Sequence, residues 1–321
     1  MSDVNILEEE KDSDFGLVSA IFAGIGVYVV ALLAFSYLMS NSGSRVENQT
    51  ATDKIFLLMS QVKPVKGPST FTFSAYDQIT GNFKPRFQKA NWINRIPSSD
   101  HVAVSPDGTR IVACLKDEYQ LIIADVRTGN IITSKSIKCE HPSFGANNEL
   151  IYVQRSAEDG WKIVVEKNND IIKEVESVEK VYAPQYFENS KKLFYFKDVS
   201  ESQQQIECNT ESENQIIKTI DTKIKTMALS PNGEKIVLST ADKPIEILST
   251  KSGKSLWSLT NVSPLKLIWS TDNEHIYYLQ NEEEVGGKDK VIRRVDTSEP
   301  STEGEKLGSV DKNVIAIWRS Y

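Results

Sequence analysis

Histidine and cysteine are scarce in this chain, three of each in 321 residues. Cys114, Cys139 and Cys208 are an odd number at spacings that match no metal or redox motif, so they read as buried free thiols. His101, His141 and His275 are widely separated in sequence. No G-x-S-x-G nucleophile elbow, P-loop or H-E-x-x-H motif occurs. Positive charge is not in excess either. The first fourteen residues set Asp3, Glu8, Glu9, Glu10, Asp12 and Asp14 against Lys11, which is −5 of a net −7 and leaves −2 for the rest. A nearly neutral body gives no electrostatic footprint for nucleic acid.

What is present begins with a run without charge. Between Asp14 and Arg45 no side chain is ionised, and residues 15–39 are mostly apolar. Twenty-five helical residues at about 1.5 Å each span a ~30 Å hydrocarbon layer with some tilt. A cleaved signal peptide would start basic and carry a shorter apolar run, whereas this start is acidic and the run long. The expectation is a retained single-pass anchor contacting the bilayer through residues 15–39, after an acidic tail at 1–14. Residues 40–53 are small, polar and aperiodic, as a tether is. Lysine and arginine near the span are too few to fix orientation, and the count leans slightly toward a cytoplasmic body.

The remainder, 54–321, repeats. "VAVSPDGTRIVACL" from Val102 returns as "MALSPNGEKIVLST" from Met227 and "LIWSTDNEHIYYLQ" from Leu267, with weaker copies from Pro142 and Pro184. The residues taken as preceding each turn, Ser105, Phe144, Phe187, Ser230 and Ser270, are separated by 39, 43, 43 and 40. A second strand–turn–strand element follows, as in "LIIADVRTGNII" and "IEILSTKSGKSLWSL". Two hairpins per forty-odd residues make one propeller blade. "TFTFSAYDQITGNFK" lacks a first hairpin and "NVIAIWRSY" lacks a continuation. Joining them through "KIFLLMSQ" gives an all-β, six-bladed propeller closed by its own ends, which removes the exposed sheet edges of an open array.

These repeats resemble the WD-repeat-like units of the TolB family, whose Ser-Pro-Asp-Gly turn stands intact at Ser105 to Gly108 and as Ser230-Pro231-Asn232-Gly233. The resemblance covers Lys54 to Tyr321 and implies a non-catalytic propeller at the extracytoplasmic face of a cytoplasmic (inner) membrane, bound to other membrane or periplasmic proteins. "STKSGKSLWSL" also resembles quinoprotein-type repeats, with Trp257 in the Trp position, but those propellers usually have eight blades and repeat that Trp. Two alternatives stay open beside the scaffold: a quinone-dependent dehydrogenase, and an accessory propeller like those of membrane-anchored dipeptidyl peptidases, without their hydrolase domain.

No enzyme activity, cofactor or metal is expected. His101 and His141 precede equivalent inner strands, with Glu140 as the one further ligand in view, and read as rim residues. Glu282-Glu283-Glu284 reads as a solvated hairpin loop. Partner contacts are expected in the loops entering the innermost strands, from Trp92, Arg95, His101, Tyr182, Lys225 and Lys266, since aromatic and basic residues are enriched at interfaces. For Trp92 and Tyr182 the sequence leaves a second reading open, that they plug gaps between blades.

Overall fold

The computed structural model describes residues 55–62, 70–87, 90–116, 119–155, 160–240, 245–260, 262–282, 289–298 and 303–320. They form six antiparallel four-stranded sheets. Blade 1 orders Val314–Ser320, Ile55–Val62, Thr70–Asp77 and Asn82–Arg86 from the inside outward. The inner strands of blades 2 to 6 are Val102–Val104, Cys139–Phe144, Val181–Phe187, Ile224–Leu229 and Pro264–Trp269, each followed in sequence by its three outer neighbours.

Closure is as the sequence implies. Val314–Ser320 runs antiparallel to Ile55–Val62 with Leu57 opposite Trp318 and Leu58 opposite Ile317. Among the described residues no helix is long and apolar enough to cross a membrane. The expected tail, span and tether, 1–53, lie outside the described residues.

The middle strands are continuous apolar runs because each blade is covered on both faces by its neighbours. Ile111 to Leu115 and Leu121 to Ala124 are buried, while the outer strand Ile131–Ser136 is largely exposed. Six apolar clusters fill the six gaps between blades. The repeated turn organises each inner hairpin. The Ser105 amide donates to the Arg110 carbonyl at 2.9 Å, and the Arg110 amide donates to Ser105 Oγ at 2.9 Å. Ser230 and Ser270 repeat the arrangement with Lys235 and His275. In blade 3 Gly145, and not Phe144, holds the place of Ser105, through a bond from its amide to the Glu149 carbonyl.

The three cysteines are not all free thiols, contrary to the expectation from their spacing. Cys114 and Cys139 are joined in a disulfide, and only Cys208 is a free buried thiol. Cys114 lies in the second strand of blade 2 and Cys139 opens the inner strand of blade 3, so the bond staples adjacent blades within one apolar cluster. Their separation of 25 residues follows no local motif.

Candidate functional site

The inner strands lie side by side around the propeller axis, and all six begin at the same end, where the loops between second and third strands also emerge. At this mouth the side chains of blades 2, 3 and 4 form a row. The rings of His101 and His141 are 6.3 Å apart and stacked, and His141 meets Tyr182 edge-on at 5.2 Å. Tyr182 in turn stacks on Phe196 at 5.1 Å.

Backbone geometry delivers these rings. The inner strands of blades 3 and 4 carry a register shift, between Glu140 and Ser143 and between Tyr182 and Gln185. His141 and Ala183 there adopt φ of 47° and 45°. A bulge of this kind re-aims a side chain off the regular pleat.

Cations interleave with the rings. Lys180 Nζ lies 5.1 Å from the Tyr182 ring, 5.2 Å from the Trp161 ring and 3.2 Å from Glu140. Arg155 sits 5.7 Å from Trp161, and Lys138 5.0 Å from the exposed ring of Tyr119. The Tyr182 hydroxyl donates to Asp198 at 2.6 Å, and Lys223 binds the same carboxylate at 2.6 Å.

Burial and charge set the protonation states. Desolvation pulls His141 down to about 4, with His101 and Lys180 adding to the shift and Asp100 and Glu140 opposing it. His101 is lowered by the same cause, so both imidazoles are neutral at pH 7. Burial raises Tyr182, and its bond to Asp198 raises it further. Burial would raise Asp198, but bonds from Lys223, Tyr182 and Gln204 hold it below its ordinary value. Lys266 is half-buried, and this burial lowers its pKa against the pull of Asp100.

The six expected contact residues separate. His101 and Tyr182 belong to the ring row, and Lys266 lies near enough to Asp100 to feel its charge. Lys225 is exposed on the inner strand of blade 5. Arg95 is half-buried, with its carbonyl accepting from the Lys116 amide. Trp92 is 3% exposed, packs on Phe73 and Phe87, and donates from Nε1 to the Gly129 carbonyl at 2.9 Å. It fills the gap between blades 1 and 2 and has no surface to offer a partner. Trp161, Tyr119 and Lys180 were not among the expected contacts. Trp161 and Tyr119 flank loops between second and third strands, and that position is the signal that finds them.

The mouth holds a serine–histidine contact but, among the described residues, no metal cluster from the groups expected there. Ser98 Oγ lies 2.9 Å from His101 Nδ1, a contact closed locally within one 3-10 turn. A ligand-type cluster among the described residues is Asp272, Glu274 and His275, in an inner-hairpin turn rather than at the mouth. His101, His141 and Glu140 do not converge as such a set.

No protein-family model matches the chain, and no curated protein does. Solved structures do. TolB from Acinetobacter baumannii aligns with TM-score 0.54 and 18% identity over 79% of this chain and 66% of TolB, so the chain spans just under two thirds of that protein's length. A chain of the nidogen/laminin complex aligns with TM-score 0.54 and 11% identity over 81% of this chain and 95% of its own. A Bacteroides fragilis protein provisionally named a 6-phosphogluconolactonase aligns with TM-score 0.52 and 9% identity over 84% and 99%. Identities this low establish architecture, and these neighbours include both a member of a protein complex and one with an enzyme's name. By fold the chain is a six-bladed β-propeller, with TolB among its structural neighbours.

Proposed function

We propose that this chain is a membrane-anchored, non-catalytic scaffold whose propeller binds another protein through the mouth of blades 2 to 4. The observation that carries the reading is the interleaved row of rings and cations: Trp161, Lys180, Tyr182 and His141 lie within about one side chain of one another. Aromatic and cationic side chains held rigidly at a rim supply contact area at little entropic cost, and such groups dominate interface energetics. The carboxylates Glu140 and Asp198 are already neutralised by Lys180 and Lys223. An extracytoplasmic placement is supported by the Cys114–Cys139 disulfide, because such bonds persist in oxidising compartments and are rare in the cytosol. Membrane anchoring rests on the apolar run at 15–39.

The test is affinity capture by the full-length protein from native membranes, read against thermal melts. Tyr182→Ala and Lys180→Glu are expected to lose the captured partner by tenfold or more with the melt little changed, in line with about 2 kcal/mol for interface anchors. Trp92→Ala is expected to lower the melting temperature instead. Capture that survives both mouth substitutions overturns the binding face. Labelling of Ser98 by a serine-directed phosphonate would overturn the non-catalytic part.

A further inference from the structure

A second site lies away from the mouth. Between blades 2 and 3, at the end carrying the Ser-Pro-Asp-Gly turn, a cleft of about 430 Å³ opens, lined among others by Arg110, Thr133, Phe144, Asn148, Lys167 and Asn169. That volume falls within the ~300–1,000 Å³ of small-molecule sites.

Two cations around this cleft are ion-paired and Arg110 is not, while Glu149, buried in the adjoining turn, accepts from the Asn147 amide and has no ion-pair partner among the described residues. Lys135 is paired with Glu166, whose other oxygen accepts from the Tyr152 hydroxyl at 2.7 Å. Lys167 is paired with Glu188. Asp107 accepts from Ser105 and Thr109 on one oxygen and from Asn148 on the other. Arg110 is near enough to favour ionised Asp107, yet among the described residues its guanidinium makes no ion pair and no hydrogen bond. Its contact is with the Phe144 ring, 5.5 Å from the centroid. A guanidinium that lies over a ring and makes no hydrogen bond keeps its N–H groups free for a two-pronged acceptor. Beside it Asn148 Oδ1 is buried without a donor, a deficit that calls for a hydroxyl or amide hydrogen. Asn168 and Asn169 turn into the cleft with φ of 53° and 72°. Ile132, 58% exposed, gives it an apolar edge.

We propose that this cleft binds a small polyhydroxylated monocarboxylate, a sugar acid of one or two rings, with its carboxylate on the Arg110 guanidinium and its hydroxyls on the asparagine amides. A guanidinium without a hydrogen-bond acceptor suits one carboxylate. Amides and the Thr133 hydroxyl suit a ring of alcohols, and the isoleucine edge suits its C–H face. The site is independent of the mouth and of the reading proposed for it.

Calorimetric titration of the full chain with D-glucuronate tests this, with D-glucose and D-glucose 6-phosphate as comparators. Saturable glucuronate binding is expected, with glucose at least tenfold weaker and the dianionic phosphate weaker than glucuronate. Arg110→Gln should weaken glucuronate at least tenfold, the scale of a lost charge-assisted pair. Asn169→Gly keeps the left-handed backbone while removing the amide, so it should weaken binding several-fold even if Arg110→Gln fails to fold. No saturable binding at millimolar glucuronate, equal binding of glucose, or indifference to both substitutions overturns the site. Tighter binding of glucose 6-phosphate overturns the choice of a carboxylate.

Discussion

The Cys114–Cys139 bond offers a perturbation whose size follows from the chain. The two residues are 25 apart, and closing a loop of that length removes roughly 12 cal/mol/K of entropy from the unfolded chain by the loop-closure relation, or about 3.5 kcal/mol at 25 °C. The bond joins two blades that otherwise meet through apolar packing of Val112, Leu121, Leu150 and Tyr152 and through side-chain contacts such as Lys135 with Glu166, so no other covalent link and no sheet ladder replaces it. Reduction, or the double substitution Cys114→Ala and Cys139→Ala, should lower the thermal midpoint by on the order of 10 °C in a unit of this size. Thiol titration under denaturing conditions is the direct assay. Of the three cysteines, only Cys208 should react before reduction, and all three after. Three reactive thiols without reductant would refute the bond, and the argument for an oxidising compartment would fall with it.

Three further outcomes follow from the geometry. Deleting 313–321 strips the partner strand from Ile55–Val62 and uncovers the buried Phe56 and Leu58, so the truncated chain should lose its cooperative melt, and a wild-type curve would deny that the ends share a blade. At Gly253, where φ is +64°, an added Cβ would meet the Ile217 carbonyl oxygen at 2.0 Å, whereas at Gly81, φ +66°, it meets nothing within 4 Å; Gly253→Ala should cost more than about 2 kcal/mol and Gly81→Ala about 1 by denaturant unfolding. His141, lowered to about 4 in the fold, binds its proton more readily when unfolded, so its contribution is present above about pH 6.5 and lost as pH falls toward 4; with allowance for solvent at the mouth, His141→Asn should shrink the stability difference between pH 7 and 4.5 by up to about 2 kcal/mol, and an unchanged difference would refute it.

The candidate mouth was half legible in the sequence. The placement of His101 and Tyr182 at this end is legible because the loops entering inner strands can be located from the repeat, and every such loop converges on one end of the axis. Trp92 stands in one of those loops too, but a 3-10 turn, Asn91–Arg95, rolls its indole inward onto Phe87 and Gly129. Trp161 opens the third strand of blade 3, Lys180 lies in the loop entering blade 4, and the two meet in space. No spacing within one repeat encodes such a meeting.

The sequence by itself determined the blade: its period, its two hairpins, its serine-led turn and the need for the two ends to pair. Each is a local relation, set by alternation of apolar residues and by turn chemistry within about forty residues, so it can be read along the chain. The tertiary structure decided what happens between blades. The disulfide of Cys114 with Cys139, the burial of Trp92, the stacking of His101, His141 and Tyr182, and the unpaired Arg110 guanidinium over Phe144 all depend on which face of one sheet packs on the next. That choice is made by the fit of whole apolar surfaces. Residues a blade apart acquire their chemistry only once those surfaces have closed around the axis.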